Sequence, residues 1–196
     1  RAEYAGSEAE RRFSKEIKFD EAIANFMRER LEFYLRDARG FAYDVVNAVL
    51  AAGSDDVVDA IARSEAVSEV RGSEDFASIA VAFKRIKNIL RQARETNKAV
   101  AAKLDNPALT EDAEKKLATD MPVIAAQVRH LREQGNYGQA LAQVSRLRQP
   151  VDLFFDKVMV MVDDETVRAN RLALLRDLLS EFSTIADFSE IVTEGK

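Results

Sequence analysis

From Ser73 to Lys103 the chain contains neither Gly nor Pro. A stretch of that length, rich in Ala, Ile, Leu, Lys and Arg, is too long for a strand and lacks the residues that break a helix, so it predicts one long helix. The rest of the chain points the same way. Seven Gly and three Pro among 196 residues leave few interruptions. A hydrophobic content of 47% with 32% charged residues suffices for a packed core inside a solvated surface. The expected fold class is all-α, a multi-helix bundle.

The chain has no cysteine, which excludes disulfides, thiolate metal sites and cysteine nucleophiles. No apolar run approaches the roughly 20 residues that span a bilayer, and the opening "RAEYAGSEAERRF" lacks the apolar segment of a secretion signal. A cytoplasmic location is expected. Because the first residue is Arg1 rather than Met, the chain is expected to be a piece of a longer polypeptide.

Caps and apolar spacing place the other helices. Asp20 is expected to cap a helix through "EAIANFMRERLEFYLRDA", with Phe26, Leu31, Phe33, Tyr34 and Leu35 on its apolar side and Arg28, Glu32 and Arg36 as an ion-pair ladder. "YDVVNAVLAAG" reads as a short helix closed by Gly53, followed by one capped by Ser54, with Val57, Val58, Ile61 and Ala62 as its buried stripe. Gly72 ends it. "LDNPALTED" is the clearest loop, with Thr110 expected to cap the next helix, which Pro122 is expected to kink or interrupt. Gly135-Asn136 turns the chain, and Pro150 marks a kink or a fresh first turn in the helical stretch that follows. The last helix opens on an Asp cap and carries Leu172, Leu175, Leu179, Phe182 and Ala186 toward the core.

Charge is distributed unevenly along the long helix. "FKRIKNILRQARETNK", residues 83–98, holds six cations and one acid in a chain whose formal net charge is −5. At about 100° per residue, Ile79, Ala82, Ile86, Ile89, Leu90 and Ala93 form one core-facing arc. Lys84, Lys87, Arg91, Arg94 and Lys98 fall within another arc of about 80°, with Asn88 and Phe83 on its margins. Like charges on adjacent turns repel by a few tenths of a kcal/mol per pair. Such a stripe needs an anionic partner, or acidic surfaces elsewhere in the molecule that neutralise it.

Signs of catalysis are sparse. His130 is the only histidine and is expected at the surface. Asp152 and Asp156 are i, i+4 neighbours that could suit a hard cation, and Asp163, Asp164 and Glu165 invite the same thought. Capping and solvation explain both sets, and there is no Gly-rich phosphate loop, zinc-type His pair or nucleophile elbow. No catalytic or metal residue is expected in this chain.

The stretches "GFAYDVVNAVLAAGSDDVVDAIARSEAV", "FASIAVAFKRIKNIL", "NPALTEDAEKKL" and above all "PVDLFFDKVMVMVDDETVRANRLALL" resemble the C-terminal region of the bacterial glycyl-tRNA synthetase β subunit, which has a DALR-type anticodon-binding fold. The resemblance covers roughly residues 26–191. It implies a helical anticodon-binding domain over 20–191, a poorly matched segment at 1–19 and a frayed tail at 192–196. It implies a fragment of a glycine–tRNA ligase that is itself non-catalytic and docks on the anticodon end of glycine tRNA. ATP and magnesium would then be used elsewhere in the whole enzyme, with no cofactor in this piece. The partners implied are tRNA(Gly), the α subunit and the rest of the β chain. On physical grounds the expected tRNA contacts are Lys84, Lys87, Asn88, Arg91, Arg94, Lys98 and Phe83, with Arg168 and Arg171 as further phosphate contacts. The alternative is a helical scaffold that docks its cationic stripe on another subunit or domain.

Overall fold

The computed structural model of the chain describes residues 22–193, and every regular element among them is helical. The proposed Asp20 cap lies outside the described residues. The first helix, α1, covers 22–33 and ends in a wider π-turn, Tyr34–Ala38, closed by Gly40 at φ 73°. The ladder is present in part, as Arg36 reaches Glu32 at 3.2 Å. The expected apolar side is corrected. Leu31 and Leu35 are buried, but Phe26, Phe33 and Tyr34 lie exposed together with Ile23 and Met27, so the larger apolar face of α1 points outward.

Helix α2, Tyr43–Ala52, ends at Gly53, whose φ of 142° lies where side chains are disfavoured. Helix α3, Val57–Val70, is capped by Asp56, which accepts from the N–H groups of Val58 and Asp59, and not by Ser54. Val57 and Val58 are exposed in the first turn, Ile61 and Ala62 are half-buried against the core as expected, and the fully buried residues are Ala60, Arg63, Ser64, Ala66 and Val67. Arg63 makes this tolerable because its guanidinium ties three carbonyls, Val49, Gly53 and Ile185, to the Asp59 carboxylate.

Helix α4, Glu74–Glu95, starts at Ser73, whose hydroxyl accepts from Phe76 N–H. It stops eight residues short of the expected Lys103. Asn97 takes a left-handed φ of 51°, a conformation Asn tolerates better than most side chains, and the Lys98 N–H closes back on Ala93 O at 2.8 Å. The chain beyond it is strapped onto a later helix. Asn170 exchanges two hydrogen bonds with the Asp105 backbone, Ala101 N–H donates to Ala169 O, and Arg176 donates to the carbonyls of Ala101 and Ala102.

Helix α5, Asp112–Glu133, begins one residue later than expected. Glu111 and Glu114, not Thr110, form a reciprocal capping box. It runs through Pro122 without interruption. Helix α6, Tyr137–Ser145, is capped by Asn136 after Gly135 at φ 69°, and α7, Arg148–Lys157, carries Pro150 in its first turn, where a missing N–H costs nothing. Helix α8, Glu165–Phe182, is capped by Asp164 and is buried on every side from Asn170 to Leu175. It packs against α4 and α5, while α4 also meets α7 and a short 3₁₀ turn at Phe188–Glu190. Phe188 fills the space between α2 and α4, its ring edge-on to Phe76 and Phe83 at 5.3 and 5.4 Å. No helix among the described residues is long and apolar enough to cross a membrane.

Candidate nucleic-acid interface

Helix α4 is positioned from beneath. Phe76, Ile79, Ala80, Ala82, Phe83, Ile86 and Ala93 are buried along its inner face, and burying each large apolar side chain contributes about 1.5–3 kcal/mol, so the helix cannot roll to present a different outer face. The outer face carries Lys84, Arg85, Lys87, Asn88, Arg91 and Arg94, all exposed, and Lys98 follows on the irregular chain just beyond. Among the described residues no carboxylate lies within ion-pair distance of Lys84, Arg91, Arg94 or Lys98, whereas fifteen other cation–carboxylate pairs do form. Arg28, Arg30, Lys103, Arg132, Arg146 and Lys157 are likewise unpaired among the described residues but are spread along the chain, whereas these lie together in one sixteen-residue run.

Lys87 is different. Its ammonium donates to Asp187 at 2.8 Å, Ser189 Oγ at 3.0 Å and Glu190 at 3.0 Å, which uses all three of its N–H groups. Partial burial alone would lower its pKa, but the two carboxylates outweigh that and hold it above the usual lysine value. Asp187 responds in kind. Its burial would raise the pKa, and the Lys87 ammonium with the Ser189 hydroxyl and N–H bring it below the usual carboxylate range. Lys87 thus fastens the 3₁₀ turn to α4 and has no donor left for phosphate.

Three further expected contacts are corrected. Phe83 is fully buried against Phe188 and cannot stack on a base. Arg168 is 6% exposed and donates to the carbonyls of Val162 and Asp163, tying down the loop before α8. Arg171, also 6% exposed, pairs with the buried Glu114 and donates to Met159 O and Thr110 Oγ1. Both arginines brace the interior, so they are removed from the set of phosphate contacts.

Arg85, absent from the expected set, joins the face. Its guanidinium lies over the Phe155 ring, 4.0 Å from the centroid, and so bridges α4 and α7. Its signal in the sequence was the cationic run itself. The supporting ring comes from a residue 70 positions later, which no helical spacing reveals. Beside it a shallow groove of about 630 Å³ runs along α4, lined by Val81 and Ile89 together with Lys84, Asn88, Arg91, Gln92 and Glu95.

His130 is exposed on α5 with Gln134 at 3.1 Å. Asp152 faces Arg148 at 3.7 Å, Asp164 caps α8, and no cluster of three metal-capable side chains occurs among the described residues.

Comparison with known proteins decides the family. The model of the DALR anticodon binding domain matches residues 79–188, from the second turn of α4 through Phe188.

The chain belongs to the DALR anticodon-binding domain family.

The DALR match takes in the whole cationic run. The chain is also homologous to part of the glycine–tRNA ligase β subunits. It is 57% identical over 176 residues to that of Acidobacterium capsulatum, 44% over 177 to that of Geobacter metallireducens and 40% over 174 to that of Desulforamulus reducens. These alignments cover 88%, 90% and 89% of this chain but 25%, 24% and 24% of the relatives, so the chain spans about a quarter of their length.

Proposed function

We propose that this DALR domain is a non-catalytic tRNA-binding module of a glycyl-tRNA synthetase β subunit, working in the cytoplasm and docking on the anticodon end of tRNA(Gly) through the outer face of α4. The domain is assigned to residues 20–191. The rest of the β chain and the α subunit are its protein partners, and ATP with Mg²⁺ is used by the whole ligase away from this domain. The observation that carries the reading is the set Lys84, Arg85, Arg91 and Arg94 on α4, with Lys98 just beyond it, none of which has a carboxylate partner among the described residues, in contrast to Lys87.

Lys84, Arg91, Arg94 and Lys98 supply phosphate contacts, which give affinity with little sequence information. Arg85 and Asn88 lie where unstacked bases would meet the protein. Lys87 acts as a brace rather than a contact.

The test is binding of a labelled anticodon stem-loop to the chain at two salt concentrations. Each phosphate contact to single-stranded RNA contributes a slope of about −0.7 in log K against log salt, so four contacts predict roughly −3. Charge reversal at Lys84 and Arg91 should remove most of the affinity and flatten the slope, with thermal unfolding unchanged. Undiminished binding by that variant would exclude this face.

A further inference from the structure

The free carboxylate of Glu95 is out of place on a phosphate-binding surface. It is the one acid in the run from Phe83 to Lys98, exposed at the end of α4. At about 100° per residue it falls within the same outer stripe as Lys84, Asn88 and Arg91. Arg91 lies one turn before it, yet among the described residues no cation comes within ion-pair distance of its oxygens. A carboxylate left unpaired among cations repels an approaching polyanion, so by electrostatics alone it weakens RNA binding. Its place in the groove beside Asn88 and Gln92 suits a different task, accepting a hydrogen bond from a base.

The nature of that base follows from the homology to glycine–tRNA ligase β subunits and from the genetic code. Glycine codons begin GG, so two anticodon bases of the partner tRNA are cytosines. Cytosine presents an exocyclic amine donor, and uracil presents a carbonyl oxygen at the same position. A carboxylate attracts the first and repels the second, so one group supplies both the favourable contact and the penalty against the wrong base. An arginine or lysine would do the reverse.

We infer that Glu95 is a specificity-determining residue that accepts the exocyclic amine of an anticodon cytosine splayed into the α4 groove. This rests on the proposed tRNA-binding reading. Arg85 is the platform on the opposite side. Its guanidinium, held 4.0 Å from the Phe155 ring centroid, is partly ordered before any ligand arrives and offers a planar group on which a neighbouring base stacks. Asn88 and Gln92 lie between the two; the Asn88 amide oxygen accepts from Arg91 at 3.3 Å, which leaves its NH₂ to donate, and the Gln92 amide can donate and accept at the remaining base-edge positions.

The experiment measures binding of the chain to three labelled anticodon stem-loops by fluorescence anisotropy: the glycine sequence, and the same loop with either cytosine replaced by uracil. The wild-type protein should favour cytosine over uracil by about tenfold or more at one of the two positions. Glu95→Ala should weaken binding of the glycine loop and strengthen binding of that uracil loop, bringing their ratio near one, with the thermal midpoint unchanged. The inference is overturned if Glu95→Ala keeps the wild-type ratio, including the case where affinity rises equally for all three loops, as removal of a merely repulsive charge would produce. A wild-type protein that does not separate cytosine from uracil at either position overturns it too. The Lys84→Glu/Arg91→Glu variant separates the two levels of failure. Loss of all three loops in that variant sustains the tRNA-binding face whatever Glu95 does, and retention of all three removes the face itself.

Discussion

Replacing Arg171 with Met tests whether a cation in this DALR-family domain serves the fold or the proposed ligand. Its guanidinium is paired with Glu114, whose side chain is 1% exposed, and also holds Met159 O at 2.8 Å and Thr110 Oγ1 at 3.3 Å. Methionine fills similar volume, so the main effect is a buried carboxylate without its counter-charge. Breaking such a pair by removing one partner costs about 3–5 kcal/mol. The lower end applies here, because Glu114 still accepts from the N–H groups of Thr110 and Glu111 at 2.9 and 3.0 Å. A loss of about 3 kcal/mol corresponds to a fall in thermal midpoint of roughly 6–12 °C for a domain of this size. Adding Glu114→Gln neutralises the stranded charge while keeping an acceptor at the helix start, so Arg171→Met/Glu114→Gln should lose less than the sum of the two single variants. Urea unfolding of the four proteins gives the coupling, and anisotropy with the anticodon stem-loop, below the lowest midpoint, gives the affinity. Affinity should be unchanged throughout. A normal midpoint with a large loss of RNA binding in Arg171→Met would refute the reasoning and return Arg171 to the contact surface.

Two other outcomes follow from the described geometry. Asp187 titrates below its usual value because Lys87 and Ser189 outweigh its burial, so this pair's contribution is present above about pH 4 and is lost as pH falls through the depressed value. Lys87 titrates above its usual value, so the same contribution is complete below about pH 10.4 and fades as pH rises past it. Lys87→Met should therefore lower the midpoint most near neutrality and converge on wild type at both extremes; parallel midpoint–pH curves would show that the contact is not made in solution. At the end of α4, Asn97→Ala should cost about 1–2 kcal/mol because alanine resists the left-handed conformation, while Asn97→Gly should be tolerated. Equal midpoints for the two would argue that α4 continues past Glu95.

Patterns with a helical period were legible in the amino-acid order, and long-range pairing was not. The buried stripe of α4, apart from Ile89 and Leu90 which are only half-buried, the helices around Gly53 and Pro150, and the Asp cap of α8 all follow from spacing and local chemistry, and the structure has them. Where two capping residues compete, tertiary packing chooses. Asp56 prevails over Ser54 and Glu111 over Thr110, and each choice moves the start of a helix by one or two residues. Phe83 lies at the margin between two arcs, and only Phe188, more than a hundred residues away, assigns it to the interior. Arg168 and Arg171 were misread because a cation is placed on the surface by default, and their acceptors come from a distant carboxylate and from loop carbonyls that no periodicity announces. Lys87 was indistinguishable from Lys84 along the chain. Their environments differ because a turn near the C-terminal end of the described chain happens to lie beneath only one of them.

That turn gives the α4 surface a handedness. Asp187 and Glu190 stand along one border, their two negative charges half offset by Lys87, while the border near Phe155 carries Arg85. A ribose-phosphate strand sliding in from the Asp187 side meets carboxylates first, and from the other side it meets guanidinium. On the proposed reading, a nucleic acid approaching α4 meets less repulsion from the Arg85 edge, so the contact that fastens the 3₁₀ turn would also bias the direction of approach.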